Sequence, residues 1–243
     1  LGRRTAELHL ALSSITEEPD FEPEPFSILY QRSLYQSMRG LTMNVLELLD
    51  RDLRNLPDDL KQEASEILNL KKDIMQRFSA IFQRKISSMK IRIHGDYHLG
   101  QLLYTGNDFV IIDFEGEPAR ALSERRLKRS PIQDVAGMIR SFHYAAYTSL
   151  NLLLKEITPS PEISQWLAVS AALWYKYVAG VFLKSYLDIA GDTPLIPKDK
   201  EELDILLRAF LLEKAVYELG YELNNRPDWV KVPIQGILQL LGR

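Results

Sequence analysis

The sequence predicts a mostly α-helical α+β fold with a small central β-hairpin. Apolar residues recur at helical spacing over long stretches on both sides of the chain's middle, which indicates amphipathic helices. Short β-branched and apolar runs occur instead between residues 90 and 114. The Thr-Gly-Asn-Asp run at residues 105–108 separates two of them and is typical of a hairpin turn.

The N-terminal half is predicted to hold three helices. Residues 1–12 mix charged side chains with the apolar Leu8, Leu10, Ala11 and Leu12, which predicts an amphipathic helix. Residues 13–25 are acidic and contain prolines, which indicates a loop. Long helices are then expected over residues 26–56 and 60–87, with a break at the Asn-Leu-Pro-Asp-Asp run.

The central hairpin is predicted from three short runs. Residues 90–93 and 101–104 read as short strands, and residues 109–114, Phe-Val-Ile-Ile-Asp-Phe, as a strand of the buried type. An unpaired carboxylate after such a run costs several kcal/mol, on the order of other buried charges, unless it leaves the strand or meets a cation. Asp113 therefore stands out as a candidate functional residue.

The C-terminal half is predicted to be helical after an irregular segment at residues 116–131. The expected helices cover residues 132–155, 162–190 and 201–224, and a short one follows Pro233. Asp134 is interpreted as a helix N-cap or as the buried partner of an arginine. We find no internal repeat or low-complexity linker, so residues 1–243 are predicted to form a single domain.

The composition excludes several classes of function. The chain has no cysteine, which rules out disulfides and thiol catalysis and fits a cytoplasmic location. Its net charge is −3 and residues 125–129 are its one basic run, so nucleic acid is not expected as a partner. This run is interpreted as a solvated loop or, alternatively, as a contact for nucleotide phosphates or a partner. No signal peptide or apolar run of about 18 residues is evident, and membrane spanning is not expected either.

Chemically active side chains concentrate between residues 91 and 117. Asp96 lies in a loop, Gln101 follows five residues later, and Asp113 follows the hairpin. In phosphoryl transfer, one carboxylate orients the attacking hydroxyl, while an amide and a second carboxylate hold magnesium. Asp96 is therefore the candidate base. His94 and His98 are interpreted as residues that brace the loop, since a zinc pair would require a helical pattern and an adjacent glutamate.

The motifs resemble those of known kinases. The run His94-Gly-Asp-x-His-x-Gly-Gln101, followed by Ile112-Asp-Phe-Glu115, is similar to the catalytic segment of aminoglycoside-phosphotransferase-like kinases. Four further segments make the chain most similar to the bacterial maltokinases, which occur free or fused behind trehalose synthase. They are residues 1–12, 32–39, 134–142 and 212–229.

This resemblance implies transfer of the γ-phosphate of ATP to the anomeric hydroxyl of maltose. It implies ATP and Mg²⁺ as cofactors, with Asp96 as the base and Gln101 and Asp113 as magnesium ligands. Most members of the superfamily carry asparagine where this chain has Gln101. Glu115 stands where protein kinases have glycine, and it is expected either to bind a second metal ion or to fix the loop.

A polar and aromatic stripe is the candidate sugar site. Its members recur at spacings of three and four residues, so they share one helix face. A second candidate is the run Trp174, Tyr175 and Tyr177. For both, the alternative interpretation is core packing of the aromatic residues with charges at the surface. The stripe consists of Glu213, Lys214, Tyr217, Glu218 and Tyr221.

The chain shows neither a glycine-rich phosphate loop nor a strand lysine of the kinase type. By the resemblance, we expect the C-terminal lobe of a protein-kinase-like fold, without the lobe that covers ATP and inactive by itself. The expected partners are maltose and ATP, with no nucleic acid and no membrane. The alternatives are a related kinase for an aminoglycoside, choline or another sugar, and a non-catalytic docking or regulatory module associated with trehalose synthase.

Overall fold

The computed structural model describes residues 1–15, 17–118 and 121–243. Residue 16 of the predicted acidic loop and residues 119 and 120 of the predicted irregular segment lie outside this description. The helices are α1 (Gly2–Ser14), α2 (Ile28–Asp52), α3 (Asp58–Asn69), α4 (Lys71–Gln83), α5 (Leu122–Arg125), α6 (Ile132–Ile157), α7 (Pro161–Ala190), α8 (Lys200–Asn225) and α9 (Lys231–Leu241). The strands are β1 (Glu24–Pro25), β2 (Met89–Lys90), β3 (Leu102–Tyr104) and β4 (Phe109–Ile111). The predicted mostly helical α+β class is confirmed.

The chain divides into two compact units. The first unit consists of Leu1–Pro25 and Ser87–Lys198, and the second consists of Phe26–Ile86 and Asp199–Arg243. The first unit therefore contains α1, strands β1 to β4, and α5 to α7, whereas the second contains α2 to α4, α8 and α9. The organisation of residues 1–243 as a single domain stays a prediction.

In the first unit, α7 packs against both α1 and α6. Glycine at position 2 makes the close approach of α1 possible, because a Cβ there would lie 2.4 Å from the carbonyl oxygen of Phe182. The buried face of α1 consists of Gly2, Thr5, Ala6 and His9. The predicted first helix is present, but its leucines do not form the buried face. Leu8, Leu10 and Leu12 are only partly buried and Ala11 is exposed, since the tight helix contact selects small side chains.

Both small sheets belong to the first unit. Strands β1 and β2 pair with Glu24 opposite Lys90, and the Glu24 carboxylate binds Lys90 and Lys128, which lower the pKa of Glu24. Strands β3 and β4 form the predicted antiparallel hairpin, with Leu103 opposite Val110. Its turn contains Gly106 at φ +100°, as the turn chemistry requires.

The predicted strands were too long. Regular pairing at residues 90–93 ends at Lys90 and continues only as a bridge between Ile91 and Arg129. Strand β4 ends at Ile111, and its Val110 is 48% exposed, so the expected buried strand is instead half of an open two-stranded ribbon.

In the second unit, α8 packs against α2, α4 and α9. Gly220 lies against Val45 of α2, where a Cβ would come within 2.8 Å of Val45 Cγ2. The single helix predicted over residues 60–87 is two helices, α3 and α4. Leu70 separates them at ψ 8°, where its N–H bonds to the carbonyls of Glu66 and Ile67 and its side chain is buried.

Helix α7 exposes an apolar face. By length and composition it could cross a membrane, with a mean hydropathy of 1.4 over 18 residues of which 6% are buried. The expectation that the chain lacks such a run is therefore corrected, although these two properties alone do not place a helix in a bilayer. The large exposed apolar side chains are Ile163, Trp166, Val169, Leu173, Trp174, Tyr177 and Val181.

Candidate active site

The segment from His94 to Gln101 forms a loop, and the side chain of Asp134 binds the backbone of this loop. Asp134 Oδ2 accepts a hydrogen bond from the N–H of His94 at 2.8 Å, and Oδ1 accepts one from the N–H of Gly95 at 3.0 Å. Gly95 has φ +85°, a conformation that residues with a Cβ rarely adopt. One buried carboxylate thus fixes two successive amides directly before Asp96.

The interpretation of Asp134 as an N-cap or an arginine partner was wrong in its details. Pro131 is the N-cap of α6, and the 2%-exposed Asp134 binds loop amides and a histidine. Its role is nonetheless structural in kind. A buried carboxylate is tolerated here because several donors satisfy it.

Helix α6 contacts the same loop at two further positions. Gly137 lies one turn after Asp134, and a Cβ there would be 2.8 Å from the carbonyl oxygen of Tyr97. Ser141 lies one turn further, and its Oγ accepts a hydrogen bond from the N–H of Leu99 at 3.0 Å. These residues follow one face of a helix, so α6 acts as a template for the backbone from His94 to Leu99.

Asp96 is mostly buried and faces a histidine. Its side chain is 15% exposed, and its Oδ2 lies 3.7 Å from His98 Nε2. The N–H of Gly100 donates to His98 Nδ1 at 3.0 Å, so the proton of a neutral His98 ring is on Nε2, on the side of Asp96. The separation is too long for a direct hydrogen bond, and the contact is electrostatic.

His94 connects the loop to the end of the hairpin. Its Nε2 donates to the carbonyl oxygen of Ile112 at 2.8 Å, and its Nδ1 faces the N–H of Asp96 at 3.4 Å. The buried ring packs against Tyr97 and Phe114, with its centroid 5.2 Å from that of each ring. This arrangement fixes the distance between the Asp96 loop and the segment that carries Asp113.

Gln101 and Asp113 are in direct contact. Gln101 Nε2 donates to Asp113 Oδ2 at 2.8 Å, and the N–H of Ile112 donates to the carbonyl oxygen of Gln101 at 3.0 Å. Asp113 has φ +63°, an uncommon conformation for a residue with a side chain. Such strain persists where the surroundings impose it, and it is frequent at functional sites.

The donor set around Asp113 suits a hard cation. Within the described part of the chain, no cluster of three or more histidine, aspartate or glutamate side chains could enclose a metal ion. Magnesium, however, usually takes one or two protein oxygens and completes its shell with phosphates and water. Gln101 and Asp113 offer such oxygens, while Glu115 is exposed two residues further along.

The candidate sugar stripe lies on α8, in the second unit. Lys214 Nζ lies 4.8 Å from the centre of the Tyr217 ring, and Glu213 is buried. Tyr221 is 45% exposed and stacks with Arg226 at 5.3 Å, while Glu218 is partly buried. The alternative aromatic run is on α7, where Tyr175 packs edge-on against His143 and both Trp174 and Tyr177 are exposed.

The sequence did not single out His9, which the structure places behind the loop. His9 is fully buried, and its Nε2 lies 3.1 Å from Asp134 Oδ2 while its Nδ1 lies 2.9 Å from the hydroxyl of Tyr186. Thr5, one turn earlier on α1, bonds to the hydroxyl of Tyr97, whose pKa burial raises to about 12. Recurrence of Gly2, Thr5 and His9 at helical spacing was the available signal.

Two curated proteins that are similar to this chain are glucosamine kinases. No family model matches the chain. The glucosamine kinase of Streptacidiphilus jiangxiensis is 28% identical over 153 residues, which are 62% of this chain and 32% of that protein. The glucosamine kinase of Mycolicibacterium smegmatis is 27% identical over 149 residues, or 61% and 34% of the two chains.

Solved structures show the same likeness. A structure of glucosamine kinase in complex with glucosamine, ADP and inorganic phosphate aligns with a TM-score of 0.74 at 22% identity, over 99% of this chain and 53% of that one. The chain thus has the fold of a part of glucosamine kinase. It spans about half the length of that structure, and its alignments cover about a third of the curated relatives.

Proposed function

We propose that this chain carries the catalytic loop of an ATP-dependent sugar kinase, as the C-terminal lobe of a protein-kinase-like fold. The supporting observation is the contact between Gln101 and Asp113, which the His94–Ile112 hydrogen bond holds beside the Asp96 loop. Two oxygen-bearing side chains next to a positioned carboxylate are the arrangement that phosphoryl transfer needs. The similarity to sugar kinases supports the same conclusion.

In the proposed reaction, Asp96 orients the acceptor hydroxyl and receives its proton. The hydroxyl oxygen forms a bond to the γ-phosphorus of ATP, and the bond between that phosphorus and the bridging oxygen breaks to release ADP. Gln101 and Asp113 would hold magnesium, which supplies neutralisation of the phosphate charge when bound. His94 and His98 hold the loop, so catalysis rests on positioning and electrostatics.

Glu115 is proposed to support the segment after Asp113, either on a second metal ion or by fixing the backbone. Gly116 follows it at φ +77°, and its Cα lies 3.5 Å from the position that a Cβ on Gly95 would occupy. The segment that carries Glu115 therefore lies directly beside the loop of Asp96.

The proposed acceptor is a sugar of the glucosamine type. Two curated relatives and the solved complex act on or contain glucosamine, which favours it over the other candidates. Glu213 and Glu218 are carboxylates that suit an ammonium group, and Tyr217 and Tyr221 suit a sugar ring face. Together with Lys214, these residues are the proposed acceptor site.

Maltose is the second candidate acceptor. It is favoured by the maltokinase-like segments at residues 1–12, 32–39, 134–142 and 212–229. A partnership with trehalose synthase depends on this second candidate. That partnership and a cytoplasmic location both stay predictions.

The function can be tested with an acceptor panel and γ-labelled ATP. The full-length natural protein is incubated with glucosamine, N-acetylglucosamine, glucose, maltose, an aminoglycoside and choline, and the Asp96→Asn variant serves as the blank. We expect labelled product with glucosamine above all other acceptors. A product with maltose alone favours the second candidate, and no sugar product above the blank contradicts the proposed function.

A further inference from the structure

Three buried side chains from three helices form a hydrogen-bonded chain behind the Asp96 loop. Tyr186 of α7 bonds to His9 of α1 at 2.9 Å, and His9 bonds to Asp134 of α6 at 3.1 Å. Tyr186 and His9 are fully buried, and Asp134 is 2% exposed. The chain ends on the carboxylate that binds the amides of His94 and Gly95.

The directions of these hydrogen bonds follow from the chemistry of the groups. Ionised Asp134 can only accept, so Nε2 of His9 carries a proton, and in a neutral His9 ring Nδ1 carries the lone pair. Burial raises the pKa of Tyr186 above its ordinary value, so the phenol keeps its proton and donates to Nδ1. The chain therefore runs from Tyr186 to His9 to Asp134, with each donor satisfied by one acceptor.

Asp134 thus receives three hydrogen bonds, two from the loop and one from His9. The loop amides approach both carboxylate oxygens, and His9 approaches Oδ2 from α1. Without His9, the buried carboxylate loses a donor and can rotate to seek another partner. Such a rotation would move the two amides that precede Asp96.

We propose that His9 is a positioning residue for phosphoryl transfer, acting through Asp134 on the loop that carries Asp96. This inference rests on the proposed function of Asp96. If position 9 only filled space between α1 and α7, an apolar side chain such as that of the neighbouring buried Ala6 would be sufficient, because burying polar groups gives little net stability. The histidine instead holds the carboxylate in one orientation.

The test compares three substitutions in the full-length natural protein. His9→Phe fills a similar volume and removes both hydrogen bonds, whereas His9→Gln keeps an amide donor that can reach Asp134. Tyr186→Phe removes the outer donor and leaves the His9–Asp134 bond in place. We expect His9→Phe to lower kcat by roughly 10- to 100-fold with KM for ATP and sugar within about threefold, as for a misplaced catalytic group. His9→Gln should recover most of the loss.

A second readout does not depend on activity. Amide hydrogen exchange at His94 and Gly95 should be faster in His9→Phe and close to wild type in His9→Gln and Tyr186→Phe. Wild-type kcat and unchanged exchange in His9→Phe would overturn the proposal. If no acceptor is phosphorylated, the proposed function fails, whereas the exchange measurement still tests the connection from His9 to the loop.

A further comparison keeps the proposal testable if His9→Phe fails to fold. His9→Gln and His9→Asn both carry an amide, but the shorter asparagine does not reach Asp134. Slower turnover and faster exchange in His9→Asn than in His9→Gln support the proposal, and equal behaviour of the two variants contradicts it.

Discussion

Gln101 Nε2 donates a hydrogen bond to Asp113 Oδ2 over 2.8 Å, which joins the end of the loop to the end of the hairpin. Because the amide nitrogen points at Asp113, the amide oxygen of Gln101 is directed elsewhere. Gln101 and Asp113 are the residues that would hold a cation, because both carry side-chain oxygens. Gln101 therefore has two roles in the proposal, as a donor to the carboxylate and as a metal ligand.

Replacing Gln101 by leucine should remove both roles while keeping most of the side-chain volume. We expect kcat/KM for MgATP to fall by at least about tenfold, with a higher magnesium concentration needed for half-maximal rate. Gln101→Asn keeps an amide on a shorter side chain, so it is the matched control and should retain more activity. A leucine variant with a normal magnesium titration would exclude Gln101 from the metal site.

Asp96→Asn removes the group that receives the proton and changes little in shape. We expect turnover to fall by at least ~100-fold, the range for loss of a general base. Circular dichroism and thermal unfolding of the variant should match wild type, because the loop is held through the backbone bonds of Asp134. Near-normal turnover would rule out Asp96 as the base.

The left-handed conformation of Asp113 gives a prediction about stability. A backbone φ of +63° destabilises the folded state by about 1–2 kcal/mol when the residue is β-branched, whereas aspartate and asparagine tolerate this conformation better. In denaturant unfolding, the free energy of unfolding of Asp113→Val should therefore be lower than that of wild type by about that amount. The free energy of unfolding of Asp113→Asn should stay within ~0.5 kcal/mol of wild type. Both variants should lose activity. Equal stability of the two variants would show that the backbone there is not strained.

The elements that sequence reasoning predicted well are those with local signals. The hairpin turn at residues 105–108 follows from residues that tolerate positive φ, and the long helices follow from apolar periodicity. The resemblance of the loop motif then supplied roles for Asp96, Gln101 and Asp113, which stay predictions.

The elements that sequence reasoning missed depend on distant contacts. His9 meets Asp134 and Tyr186, which lie 125 and 177 positions away, so no local pattern reveals the pairing. The buried face of α1 follows from its close contact with α7 rather than from its leucines. Strand ends likewise depend on whether a partner strand is present.

The ion pair between Arg4 and Asp108 predicts a pH effect. Arg4 Nε lies 2.8 Å from Asp108 Oδ1, and this hydrogen bond lowers the pKa of Asp108 from its ordinary 3.8 to about 2. A lowered pKa means that the pair's contribution to stability is present above the ordinary pKa and is lost as the pH falls towards 2. Because both side chains are exposed, the contribution is small.

Arg4→Gln should therefore raise the pKa of Asp108 towards its ordinary value, measured by NMR titration of the carboxyl carbon. The Phe109 N–H still donates to Asp108, so we expect a partial return. Arg3→Gln removes the same charge one position earlier and serves as the control, with little change at Asp108. An unchanged Asp108 titration in Arg4→Gln would exclude the ion pair in solution.

Two helix glycines make a matched test of the template role of α6. Glycine to alanine within a helix normally adds up to ~1 kcal/mol of stability. At Gly180 of α7 a Cβ would meet nothing within 4 Å, so Gly180→Ala should show that gain. At Gly137 of α6 the Cβ would lie 2.8 Å from the carbonyl oxygen of Tyr97, which is backbone and must move.

Gly137→Ala should therefore lose about 1–3 kcal/mol, the usual cost of overpacking, instead of gaining stability. Since Tyr97 follows Asp96 directly, displacement of its carbonyl should also lower kcat, by roughly tenfold for a small misplacement of the base. Denaturant unfolding and steady-state kinetics of both alanine variants give the comparison. If Gly137→Ala is as stable and as active as Gly180→Ala, α6 does not fix the path of the loop at Tyr97, and its contacts through Asp134 and Ser141 would have to position Asp96.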